Sequence, residues 1–67
     1  MTKLQRRNNL RACRAKNGLT GQDVADHIGI TKVSYSYKET GKNEFTESEI
    51  NKLLELFDES YEDIFLD

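Results

Sequence analysis

Three threonines constrain the fold of this chain more than any other feature. Each stands at the head of a short amphipathic stretch. Thr20-Gly-Gln-Asp23 reads as a near capping box, with Asp in the place of Glu, and Thr46-Glu-Ser-Glu49 is a full one. Thr31 is placed to accept a hydrogen bond from the Ser34 or Val33 amide. Ser60-Tyr-Glu-Asp63 repeats the pattern near the C-terminus. The stops are as legible as the starts: Asn17-Gly18, Gly29 and Gly41 each close a stretch, and there are no prolines. The punctuation predicts five helices. They run from Leu4 to Lys16, over 21–28, from Lys32 to Glu39 or Thr40, across Ile50, Leu53, Leu54 and Phe57, and through a short turn carrying Ile64 and Phe65. The fold class expected is all-α. The stretch "VSYSYK" alternates like a strand, but it would have no sequence partner and no hairpin chemistry.

A chain of 67 residues has room for one domain with a small core, since it buries only about 60% of its unfolded surface. The core must be apolar and self-sufficient. Cys13 and His27 are the single cysteine and the single histidine, so neither a disulfide within the chain nor a zinc cluster is available. No metal and no cofactor are expected. A single thiol fits a reducing compartment, and no apolar run reaches membrane-span or signal-peptide length. A soluble, cytoplasmic protein is therefore expected. Catalysis has little support: the histidine has no nucleophile at motif spacing, no glycine loop suits a phosphate, and the domain is too small for a deep pocket. The chain is read as not an enzyme.

The net charge of −2 hides a strong polarity. Residues 1–18 carry Lys3, Arg6, Arg7, Arg11, Arg14 and Lys16 and no acid. Residues 44–67 carry nine acids against Lys52 alone. Local potential matters more than the total when a small surface meets a polyanion.

The second and third helices are joined by Gly29-Ile30-Thr31, too short a turn for an antiparallel pair. Gly29 permits the left-handed exit, Ala25 a close approach, and Val24, Ile28, Ile30 and Tyr35 a small core at the crossing. That is the arrangement of a helix-turn-helix over about residues 21–40, within a single domain of residues 1–67. Its second helix suits the major groove. "NNLRACRAKNGLTGQDVADHIGI" and "YSYKETGKNEFTESEI" resemble the lambda-repressor-like helix-turn-helix family of Cro, cI and XRE-like type. The likeness extends to its small regulators from phages and mobile elements. Leu19-Thr20, Ala25, Gly29-Ile30, Glu39-x-Gly41-Lys42 and Asp63-Ile64-Phe65 all fall in register.

The resemblance implies a transcriptional regulator, a Cro-like repressor whose partner is a double-stranded DNA operator bound as a homodimer. Another phage regulator is a possible further partner. By position, the resemblance implies base reading by Lys32, Val33, Ser34 and Tyr37. It places backbone contacts at Thr20, Gly21, Gln22, Ser36, Lys38, Thr40, Lys42 and Asn43. It also implies a structural ion pair between Arg14 and Glu39. Two positions depart from the family pattern. Gly21 replaces the usual glutamine, keeping an amide contact but losing a side-chain one, while Gln22 points about 100° away. Lys38 takes a slot more often held by Ile or Leu, where its stem can cover the core while the ammonium reaches solvent or phosphate.

Plainer readings stand beside these. Tyr35 is expected in the core, with Tyr37 about 200° round the helix facing out. Arg6, Arg7 and Arg11 make a basic face that steers without reading. Cys13 is a core residue and His27 an exposed one. The acidic half is a solvated face, or alternatively the docking surface of an antirepressor or antitoxin-like protein. Ile64-Phe65-Leu66 is read two ways: as a self-association surface or as the closing piece of the core.

Overall fold

The computed structural model describes residues 8–65. The expected start of the first helix at Leu4, the steering arginines Arg6 and Arg7, and Leu66 lie outside the described residues. Five helices follow in order: α1 Asn8–Lys16, α2 Gly21–Ile28, α3 Lys32–Glu39, α4 Glu47–Phe57 and α5 Tyr61–Phe65. The described residues contain no strand, so "VSYSYK" is helical as expected.

The threonine code sets each helix start. In α2, the Asp23 amide donates to Thr20 Oγ1 at 3.1 Å and the Thr20 amide to Asp23 Oδ2 at 2.9 Å. In α4 the same reciprocal pair joins Thr46 and Glu49 at 3.2 and 2.9 Å. Thr31 Oγ1 accepts from the Ser34 amide at 3.1 Å. Each box satisfies amides that the first turn of a helix leaves unpaired. The glycine stop after α2 has the backbone it was expected to need: Gly29 sits at φ 81°, with its amide donating to the α2 carbonyls.

The α4 terminus has no glycine. Asp58 takes the left-handed position at φ 54° and ψ 46°. A side chain there is strained, and a carboxylate at a helix C-terminus meets the negative end of the dipole. Asp58→Gly is expected to raise stability by about 1 kcal/mol. The check is the urea unfolding midpoint; an unchanged or lower midpoint counts against the strain.

The core gathers Leu10, Val24, Ala25, Ile28, Tyr35, Phe45, Leu53, Phe57 and Ile64. Helix α2 is central, packing on both α3 and α4, while α1 packs on α5. Each of α2, α3 and α4 has an apolar residue just before its cap and another at its fourth position: Leu19 and Val24, Ile30 and Tyr35, Phe45 and Ile50. All six belong to the core or pack against it. This is the pattern of the hydrophobic staple, which fixes the angle at which the chain enters a helix. Two of the three stapled turns, at Leu19 and Ile30, flank α2 and so set how α3 is held out.

Ile64 is fully buried in the core of the single chain. Only one face of a one-turn helix can meet the core, and Ile64 takes it. Phe65 is half-buried, its ring edge-on to Phe45 at 5.8 Å and stacked on Tyr61 at 5.1 Å. Among the described residues, no helix is long and apolar enough to cross a membrane.

Candidate nucleic-acid interface

The interface candidate is built on α3, and its geometry begins with what α3 buries. Tyr35 points inward and is 1% exposed. Its hydroxyl donates to Glu39 Oε2 at 2.6 Å. Glu39 lies one turn on and is itself only 8% exposed. Arg14 of α1 reaches the same carboxylate twice, Nε to Oε2 at 2.9 Å and Nη2 to Oε1 at 3.2 Å. Arg14 Nη1 also donates to the Leu19 carbonyl at 3.3 Å. A planar guanidinium forked onto a carboxylate is the strong, directional form of an ion pair. The Arg14–Glu39 pair is thus present, and a phenol completes it.

The electrostatics follow from this packing. Hydrogen bonding to Glu39 raises the Arg14 pKa, against an opposing push from burial. Burial pushes the Tyr35 phenol well above its ordinary value, and the Glu39 bond adds to that. Both groups are therefore held in the protonated forms that donate to Glu39. The single acid of α3 is buried and occupied, so it contributes nothing to the outer face.

That outer face shows Lys32, Val33, Ser36 and Tyr37, with Ser34 partly covered. Val33 is 63% exposed and Tyr37 43%. They are four apart, hence neighbours on one side of the helix. Three large hydrophobic side chains are exposed among the described residues, and two of them are this pair.

Helix α2 brings its start to the same region. A Cβ added at Gly21 would lie 3.6 Å from the Tyr35 ring, so α2 begins against the α3 anchor. Thr20 is occupied by its capping box, which holds the Asp23 carboxyl below its usual range. The Gln22 amide donates to Asp26 Oδ1 at 2.8 Å and lies along its own helix.

Beyond α3, residues 40–43 fold back on the last turn. The Lys42 and Asn43 amides donate to the Tyr37 carbonyl at 2.8 and 3.2 Å, and Thr40 Oγ1 donates to it at 3.1 Å. Lys42 and Asn43 remain exposed.

Lys38, expected at the DNA backbone, is paired within the domain. Its Nζ donates to Glu49 Oε1 at 2.7 Å, with both side chains largely covered. Burial alone would raise the Glu49 pKa, but the bonds from Lys38 and the Thr46 amide outweigh it and hold the carboxyl below its ordinary value. The ammonium is committed inward, pinning α3 to the head of α4. Sequence reasoning passed over this pair because residues eleven apart on two helices obey no local spacing rule. It also passed over the Tyr35 hydroxyl, which resemblance assigns no role. Cys13 is half-buried against the core; burial, together with Glu59, pushes its thiol up. His27 is exposed. Among the described residues, no group of three or more His, Cys, Asp or Glu is placed to hold a metal.

Against known proteins, a family model described as a helix-turn-helix domain matches residues 8–63. No curated protein matches the chain. Among solved structures, the chain is similar to the restriction-modification controller protein C.AhdI from Aeromonas hydrophila. The TM-score is 0.75 at 24% identity, covering 87% of this chain and 88% of that one. It is also similar to the clp gene regulator ClgR from C. glutamicum, with a TM-score of 0.72 at 24% identity, covering 82% of this chain and 70% of that one. At such identities the likeness is one of fold.

Proposed function

The chain belongs to the helix-turn-helix domain family, and we propose that it is a sequence-specific regulator of transcription that lays α3 in the major groove of duplex DNA. The observation that carries this reading is the division of α3 into two faces. One face is tied into the core through Tyr35 and Glu39; the other holds Lys32, Val33 and Tyr37 in solvent. Among the described residues no core side chain comes from that second face, and its size suits a groove that admits one helix. The structural neighbours are named as a controller protein and a gene regulator, which agrees with this reading.

In the proposed complex, Lys32, Val33 and Ser34 read bases. Lysine donates to guanine acceptors, and valine meets a thymine methyl. The Gly21 amide at the head of α2, with Lys42, Asn43 and Thr40 beyond α3, contacts phosphates. Thr20, Gln22 and Ser36 flank these contacts. One such domain makes few contacts, so tight binding calls for a two-fold dimer with half-sites about 34 Å apart on successive major grooves. The finer assignment is a Cro-like repressor of a phage or mobile element, working in the cytoplasm.

An electrophoretic shift with the DNA upstream of the gene, followed by selection from random duplexes, tests the reading. Lys32→Ala is expected to cost about 1–3 kcal/mol and to relax preference at one base pair. Lys42→Met is expected to weaken all sequences alike and to lower the salt slope by about one unit. Equal loss on every sequence for Lys32→Ala rejects base reading there. Failure to bind any duplex, with another regulator co-purifying on the acidic half, rejects the DNA reading in favour of a protein-docking module.

A further inference from the structure

We infer that Tyr37 is a positioning residue: its ring holds the Lys42 ammonium at the outer end of α3, and the two side chains form one clamp for a phosphodiester of duplex DNA. This rests on the DNA reading above. It moves Tyr37 from the bases to the backbone.

The Lys42 Nζ lies 4.6 Å from the Tyr37 ring centroid. That is well inside the range at which the negative face of an aromatic ring attracts an ammonium. The backbone closes the same loop. The Tyr37 carbonyl accepts from the Lys42 amide, the Asn43 amide and the Thr40 hydroxyl. Gly41, at φ 88°, allows the reversal that brings them there. Both ends of the lysine side chain are thus referred to one residue: its Cα through the carbonyl of Tyr37, its ammonium through the ring.

The charge environment points the same way. Among the described residues the ion pairs engage Arg11, Arg14 and Lys38, and Lys42 is in none of them. Lys38 is neutralised by Glu49, and Glu39 is taken up by Arg14 and Tyr35. At the edge of α3, Lys42 therefore has no carboxylate partner among the described residues. A ring contact, unlike a carboxylate, leaves the N–H donors unspent for a phosphate oxygen. An exposed lysine normally loses much rotamer freedom when it binds; one already seated on a ring has lost part of it beforehand. The ammonium also covers one face of the ring, which leaves less of it for a base.

The test uses the duplex selected on the wild-type protein, together with a scrambled duplex of equal length. Tyr37→Leu is expected to weaken binding to both about 2- to 5-fold. In a Lys42→Met background the same change has no further effect. Tyr37→Phe, which keeps the ring, matches the wild type. In the free protein, NMR shows the Lys42 side-chain methylene protons shifted upfield by the ring in the wild type and Tyr37→Phe, but not in Tyr37→Leu. The inference is overturned if Tyr37→Leu is as damaging with Met at 42 as with Lys. It is equally overturned if Tyr37→Phe loses affinity at a single base pair, which would make the hydroxyl a base reader. Additive losses on duplexes that the wild type binds sink the positioning role alone. A wild type with the upfield shift but no duplex binding sinks the DNA reading, and the phosphate role with it.

Discussion

Arg14→Met is expected to destabilise the domain by about 3 kcal/mol, more than removing the carboxylate it pairs with. The asymmetry comes from burial. Glu39 is 8% exposed, so losing Arg14 leaves a carboxylate where water reaches it poorly, with the Tyr35 hydroxyl donating to Oε2 and the more distant Arg11 Nε, 3.9 Å from Oε1, as its remaining partners. Breaking a buried pair in this way costs about 3–5 kcal/mol. The Arg14 side chain is more open, at 21%, so the lower end of that range applies. The reverse change, Glu39→Gln, leaves a guanidinium that can turn toward water and an amide oxygen that can still accept from Tyr35. Its cost should stay near 1–3 kcal/mol, roughly that of one unsatisfied buried group. The double variant Arg14→Met/Glu39→Gln should be more stable than Arg14→Met alone, because the stranded charge is gone. Urea unfolding of the four proteins decides it. Equal and additive losses would mean that the pair is loosely hydrated and that α1 does not hold α3 through it. The size of the effect matters here. A domain of this length has about 3–10 kcal/mol of total stability, so Arg14→Met is expected to remove about a third or more of it.

The same cluster shows what was legible in the sequence. Helix starts and stops were readable because capping is local chemistry: a threonine, a carboxylate three residues on, a glycine in left-handed geometry. The five helices follow from those signals. The Arg14–Glu39 pair was reachable only through family resemblance, since nothing in a spacing of 25 residues joins the two. The Tyr35 hydroxyl was missed although it sits four residues from Glu39, an ordinary helical spacing. The sequence pattern places Tyr35 in the core as a ring and says nothing of a partner for its polar end. A buried phenol needs an acceptor, so the signal was there. Phe45 carries a signal too: its place just before the Thr46 cap, five residues ahead of the apolar Ile50, is a readable staple. Lys38 was the opposite case. Its inward pairing depends on the α4 capping box holding Glu49 in reach, and only the packed structure sets that. Asp58 lacked any signal, because the residue that closes α4 is not the glycine the other stops lead one to seek.

Ile64→Ala is expected to cost about 2–5 kcal/mol, the range for truncating a fully buried isoleucine. Helix α5 is a single turn, far too short to be stable by itself, and it exists because Ile64 is seated in the core where α5 packs on α1. Its loss would also unseat Phe65, whose ring meets Phe45, and Phe45 in turn lies 6.1 Å from the Tyr35 ring. Damage at the C-terminus therefore reaches the inner face of α3. The distinguishing measurement is thermal unfolding over a wide range of protein concentration. If Ile64 fills the core, the fall in Tm is the same at every concentration, about 4–8 °C for each kcal/mol lost in a domain of this size. If it served instead as a contact between copies, the fall would shrink on dilution as the wild type itself dissociated. Tyr61→Ala gives the contrast, because Tyr61 is 44% exposed and adds only a stacking contact on Phe65. It should cost about 1 kcal/mol, near the value of an aromatic pair. A larger loss from Tyr61→Ala than from Ile64→Ala would mean that α5 is held from its outer face, leaving the C-terminal turn without its core anchor.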